Sequence, residues 1–214
     1  MPVQAVLIGT SVSCLLSPFL AAVTIRMPRS QRLFGDGGWH GRGTSASRVG
    51  LLATVSVLLT VAIANRVPFA LCVPIWGVAL CGVVLSVIDY EHRRLPNQLV
   101  LIVGSLGLLT VVTRCSVDAF LSSAVAATST ALAFGTVALA SQRSFGTGDA
   151  KIAASLALTT GALGWSTWLQ SLLFAALFNA VAAVVILAVY RSGSRKFAAG
   201  PGIIAGALLA ICLN

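Results

Sequence analysis

Residues 152–190 read IAASLALTTGALGWSTWLQSLLFAALFNAVAAVVILAVY, 39 residues without one aspartate, glutamate, lysine or arginine. A single helix of that length rises about 58 Å at roughly 1.5 Å per residue, nearly twice the ~30 Å hydrocarbon core of a bilayer. One crossing is therefore excluded and two are expected, with the turn near Gly161, Gly164 and Trp165. The other apolar runs between charges place spans near 3–25, 49–64, 67–88, 98–113 and 119–140, and a short last one near 197–213. The expected fold is an all-α, polytopic transmembrane bundle of about eight helices, a single membrane domain over 1–214.

Composition agrees. Hydrophobic residues are 57% of the 214, charged residues 9%, and mean hydropathy is +0.97, which excludes a soluble globule. No run alternates with period two between turns, so a transmembrane barrel is excluded as well. The formal charge of +9 is spread over short loops instead of forming one face, so it points to membrane topology and not to nucleic acid. Five cysteines stand singly, with no Cys-x-x-Cys pair, so neither a metal site nor a disulfide framework is read.

Charge also orients the chain. With the N-terminus outside, the inner loops carry Arg26, Arg29, Arg32, Arg42, Arg48, Arg93, Arg94, Arg143, Lys151, Arg191, Arg195 and Lys196, and the outer loops only Arg66 and Arg114. That split of twelve to two follows the positive-inside rule and favours eight spans, because one span more or fewer scrambles every later side. The segment 26–48, rich in glycine and serine, is expected to be a short cytoplasmic loop.

Only five acidic residues are present, and two of them stand where an apolar run meets the inner interface. Asp89 closes the third run in Ser86-Val87-Ile88-Asp89-Tyr90-Glu91-His92-Arg93-Arg94-Leu95-Pro96-Asn97. Asp149 precedes the sixth in Gly146-Thr147-Gly148-Asp149-Ala150-Lys151, where two glycines permit close backbone approach. Loops 89–97 and 142–151 are thus expected to form the site. The residues between the aspartates cross the membrane twice and return both to one face. Paired aspartates suit peptide hydrolysis, since one ionised carboxyl takes a proton from water while a protonated one donates. Read singly, Asp149 is also an ordinary helix N-cap, and Asp89 with Glu91, His92, Arg93 and Arg94 a solvated charge cluster. Helix-end electrostatics predict Asp149 as the more acidic partner and base, with Asp89 as the acid.

At these residues the chain resembles the type IV prepilin peptidase family, membrane aspartyl peptidases that share an Asp followed by Pro-Asn and a Gly-x-Gly-Asp-x-Lys. Ser17 to Pro28 is similar to the family's Ser-Phe-Leu-Asn-Val-Val-x-x-Arg-x-Pro, with Ala21 in place of Asn, and Ala199-Gly200-Pro201 to its Phe-Gly-Pro. The resemblance implies that Asp89 and Asp149 are catalytic, with Gly146, Gly148, Lys151, Pro96 and Asn97 as supporting, substrate-binding motif residues. It implies cleavage of prepilin or pseudopilin leaders at the cytoplasmic face of a bacterial inner membrane, in contact with membrane lipid. Long members carry a four-cysteine zinc domain linked to N-methylation. Segment 26–48 has no cysteine, so a short form without cofactor, zinc or methylation is expected. An ion-coupled transporter with intramembrane carboxylates and a presenilin-like intramembrane protease are the alternatives; the interfacial aspartates count against the first, and the lack of a Tyr-Asp or Pro-Ala-Leu pattern against the second.

Overall fold

The computed structural model describes residues 3–30, 45–140, 146–190 and 198–214. Among them the fold is all-α. Eight helices follow in order: α1 (Val3–Ser30), α2 (Ala46–Arg66), α3 (Phe69–His92), α4 (Asn97–Arg114), α5 (Val117–Ala140), α6 (Thr147–Leu163), α7 (Trp165–Tyr190) and α8 (Gly200–Leu213). Helices α1, α2, α3, α4, α5 and α7 are long and apolar enough to cross a membrane, as expected of a multi-pass membrane protein. The remaining two are shorter, 17 residues for α6 and 14 for α8, or about 25 and 21 Å at ~1.5 Å per residue.

The apolar stretch 152–190 divides where a helix has to reverse without polar loop residues. Gly164 takes φ 134°, a backbone region that strains side-chain-bearing residues, and alone separates α6 from α7. Helix α3 is apolar on all sides and forms the centre, with Ile75, Val78, Ala79, Leu85 and Ile88 fully buried. Helices α4 and α8 pack on α3, and α6 packs on α4, α5 and α8. Helix α7 lies outermost, with Leu173, Leu177, Val181 and Val185 exposed as a lipid-facing wall.

Small residues set the closest approaches, as in membranes, where packing and hydrogen bonds replace hydrophobic collapse between helices. A Cβ on Gly161 would lie 2.8 Å from the Ser123 Cα, and Ser122 Oγ donates to the Gly161 carbonyl at 2.7 Å, which ties α5 to α6. Trp76 Nε1 donates to Thr60 Oγ1 at 2.8 Å and to Ser13 Oγ at 3.2 Å, joining α1, α2 and α3.

Several helix ends differ from the sequence reading. Helix α1 runs to Ser30 and α2 begins at Ala46, capped by Ser45, so Arg48 is helical and not in the 26–48 loop. The site loops also shrink: Asp89 lies within α3 and Asp149 within the first helical turn of α6. In each case the charged residues continue a helix whose apolar part ends earlier, and hydropathy sees only the apolar part. Ala21, the departure from the family's asparagine, is fully buried in an apolar cluster with Leu52 and Val83.

Candidate active site

Helix α3 ends because Arg93 turns left-handed (φ 51°, ψ 42°), its N–H donating to the Asp89 carbonyl at 2.8 Å. The Asp89 side chain is thereby held one turn from the helix end and only 5% exposed. Its Oδ2 accepts the Gly200 N–H at 3.1 Å, at the first residue of α8. A Cβ at position 200 would lie 2.6 Å from that oxygen, so only glycine lets α8 come this close. Helix N-termini leave their first N–H groups unpaired, and Pro201 presents none, so the Gly200 N–H is free for the carboxyl.

Asp149 has the corresponding position on α6. Gly146 is the N-cap, so Asp149 is the third residue of the helix and its carboxyl reaches back to the Gly146 N–H, as in a capping box. The plain N-cap reading of Asp149 is corrected accordingly: the cap is Gly146. The carboxyl of each aspartate thus meets the N-terminus of a short helix, Asp89 that of α8 and Asp149 that of its own α6, where partial positive charge favours anions.

The two carboxyls line one groove of about 640 Å³. Arg93, Arg94, Leu95, Pro96 and Asn97 form one wall, and Gly146, Thr147, Gly148 and Lys151 the other. Lys151 Nζ donates to Asn97 Oδ1 at 3.2 Å, and a Cβ on Gly148 would press on Leu95 at 3.3 Å. These motif residues therefore hold the two segments together as well as lining the groove. Burial pushes the Asp149 carboxyl up to about 6; nearby Asp89 acts in the same direction, and the Gly146 N–H opposes both. At Asp149 desolvation and a like charge thus outweigh the helix end on which the sequence reading relied.

Residues 76–188, more than half of the chain, match the type IV leader peptidase family.

The chain belongs to that family.

The match contains both aspartates and every helix from α4 to α6. No curated protein and no solved structure matches the chain. As a leader peptidase-like protease it carries its candidate pair on helices that the matched region supplies. The Gly200 contact lies beyond that region and was missed as a site feature. Its only signal was Ala199-Gly200-Pro201, a glycine followed by proline at the start of an apolar run.

The remaining acids of the peptidase are placed elsewhere. Glu91 is paired with Arg48 of α2, whose Nη1 reaches Glu91 Oε2 at 3.1 Å and Thr24 Oγ1 of α1 at 3.1 Å. Glu91 therefore ties three helices together through Arg48. Asp118 is exposed in the first turn of α5, and Asp36 lies outside the described residues.

Proposed function

We propose that this peptidase is an aspartyl endopeptidase that removes the leaders of prepilin-like substrates, type IV pilins or pseudopilins, at the cytoplasmic face of a bacterial inner membrane. The observation that carries the reading is the meeting of Asp89 and Asp149, from separate helices, in one groove at one end of the bundle. A pair of desolvated carboxyls near each other favours the state that holds a single proton.

In that state the ionised carboxyl takes a proton from water, and the oxygen adds to the scissile carbonyl carbon. The protonated carboxyl donates to the carbonyl oxygen and yields a gem-diol. Collapse breaks the C–N bond and delivers a proton to the leaving amine, so the leader departs as a carboxylic acid, the mature chain gains its amine, and the pair ends with one proton. With its raised value Asp149 can hold the shared proton at the start, the part that helix-end electrostatics gave to Asp89. Roles exchange as the proton moves. Basic residues 93, 94 and 151 around the groove suit contact with anionic lipid headgroups as well.

Asp89→Asn and Asp149→Asn are each expected to lower leader removal by about 10² to 10⁴ or more, with insertion and folding retained. Asp118→Asn retains full activity. Gel-shift assays on a purified prepilin-type substrate, at equal enzyme abundance, measure all three. Wild-type rates for either substituted aspartate overturn the aspartyl mechanism.

A further inference from the structure

The two carboxyls are closely matched in what holds them. Asp89 Oδ2 accepts the Gly200 N–H at the start of α8, and Asp149 accepts the Gly146 N–H at the start of α6. Both line the same groove. Hydrogen bonding therefore does not decide which of them keeps the single proton that the reaction needs. What breaks the match has to be a charge that one carboxyl meets more closely than the other. The described residues supply few candidates. Helices α4 and α8 carry no charged residue at this end, and α1 brings Arg26 and Arg29 in its last turns. On α3, Glu91 is paired with Arg48 of α2, and His92 Nδ1 lies 4.0 Å from Glu91. Lys151, two residues after Asp149, turns its ammonium to Asn97. Asp89 is the carboxyl that meets the charge of Arg93, while the charge acting on Asp149 is that of Asp89.

Arg93 is held there by its backbone. Its N–H donates to the Asp89 carbonyl at 2.8 Å, which fixes residue 93 one turn beyond Asp89, and it lines the groove that holds both carboxyls. Among the described residues its guanidinium makes no hydrogen bond and no ion pair, so no fixed partner neutralises its charge. Its φ of 51° is one at which helices usually end in glycine, because a side chain there lowers stability. Cys115 takes the same backbone, φ 45°, at the end of α4, so the turn alone marks no site. What distinguishes Arg93 is a free charge beside the carboxyl pair.

We propose that Arg93 is a positioning residue for the shared proton: from the groove its charge keeps Asp89 the ionised member of the pair and so makes it the base that takes the proton from water. The proposal rests on the aspartyl-peptidase reading. A cation beside a carboxyl favours the ionised form, and the effect weakens with distance and with contact with water. Arg93 is exposed and beyond ion-pair distance, so it biases the pair without locking it. That suits two carboxyls whose roles exchange as the proton moves. A full ion pair would hold Asp89 ionised throughout and oppose the step in which it takes the proton up.

The test compares the full chain in lipid nanodiscs with Arg93→Gln, which removes the charge, Arg93→Lys, which keeps it, and Cys115→Gly, which relaxes the same turn far from the groove. Removal of the leader from a prepilin-type substrate is followed from about pH 4 to pH 8. In Arg93→Gln the acid limb of the rate, where the pair takes up a second proton, is expected to move up by about 0.5 in pH or more, so the ratio of wild-type to variant rates grows as pH falls. Arg93→Lys keeps the wild-type limb, and Cys115→Gly leaves both rate and limb unchanged. A second readout needs no substrate. In an Asp149→Asn background the infrared band of protonated carboxyl is titrated, with the protein that also carries Asp89→Asn subtracted, so that Asp89 is read by itself. Its midpoint is expected to lie about 0.5 or more higher in pH with Arg93→Gln than with Arg93, and Arg93→Lys restores it. A midpoint common to all three overturns the proposal. So does a loss of rate that is the same at every pH, which assigns Arg93 to contact with substrate or headgroups. An equal shift in Arg94→Gln overturns it too, because the charge then acts from the basic rim as a whole. A fall in melting temperature with an unmoved band makes Arg93 a helix-end residue only and has the same effect. Absence of cleavage by the wild-type protein strikes the peptidase reading alone, because the band still decides the role of Arg93.

Discussion

Asp89 lies one turn from the C-terminus of its own helix and against the N-terminus of another, and these two ends act on its charge in opposite senses. The first end is plain in the sequence, because Pro96 bounds the helix; the second is not, because Gly200 is 111 positions away. This is why both aspartates were legible as residues while their division of labour was not. Gly200→Ala tests the second end: the new Cβ would lie 2.6 Å from Asp89 Oδ2 and has to displace the carboxyl. A displacement near 1 Å costs about 10²-fold in rate, so kcat is expected to fall by that order with the melting temperature little changed, as read from paired kinetics and thermal melts. Asp149 carries a pH dependence. Its carboxyl value in the folded protein, about 6, is above the ordinary value of 3.8, so folding favours its neutral form. The stability this contributes is fully present below about pH 4 and is lost as pH rises through about 6. Thermal stability should therefore rise on going from pH 7 to pH 5, and Asp149→Asn, which mimics the neutral form, should flatten that rise. The rate should fall on the alkaline side with an apparent value near 6, as the pair loses its single proton. A rate that is flat from pH 5 to pH 8 contradicts this account.

At the scale of the helices, what was readable depended on whether a boundary was written in hydropathy or in shape. The apolar runs located every helix, and Gly161, Gly164 and Trp165 located the α6–α7 turn, which falls at Gly164 with φ 134°. Hydropathy did not register the last turns of α1 and α3, which are charged, nor the entry of α6, where Asp149 is already helical. It also gives no account of which helices touch. That depends on small residues, whose effect is to let backbones approach. Gly161 is the sharpest case, since an added Cβ would meet Ala126 Cβ and Ser123 Cα, each at 2.8 Å, and the Ser122 carbonyl at 3.0 Å. Two of these three atoms belong to the backbone, which cannot rotate away. Gly161→Leu is therefore expected to cost about 1–3 kcal/mol or more through overpacking and to separate α5 from α6. Gly135→Ala, in α5 with nothing within 4 Å of the added Cβ, should be neutral or slightly stabilising. Melting temperatures of both proteins in the same detergent make the comparison, and similar losses at the two positions contradict the packing argument.

Across the whole molecule, two ends can be told apart by contacts as well as by charge. One end holds the groove, with Asp89, Asp149, Arg93, Arg94 and Lys151, and the start of α8 at Gly200. At the other, Asn214 donates to Gln170, so the end of α8 meets the start of α7, and the charge of Arg66 reaches Cys212. Arg114 closes α4 at this same end, because α4 starts beside the groove at Asn97 and runs away from it. The basic residues of the groove end outnumber those of the far end, and this asymmetry predicts which end faces the cytoplasm. A reporter fused after Arg94 should read as cytoplasmic and one fused after Ser116, between α4 and α5, as external, with the N-terminus external as well. The comparison is sensitive because only α4 separates the first two sites, so they have to report opposite sides whichever way the protein is inserted. Two reporters on the same side would remove α4 as a crossing and would part Asp89 from Asp149. Opposite sides in the reversed sense would keep the pair together but turn the groove outward, away from the leaders that the proposed cleavage removes at the cytoplasmic face. Only the predicted sense brings the carboxyl pair, the basic rim and the uncleaved leader to one surface.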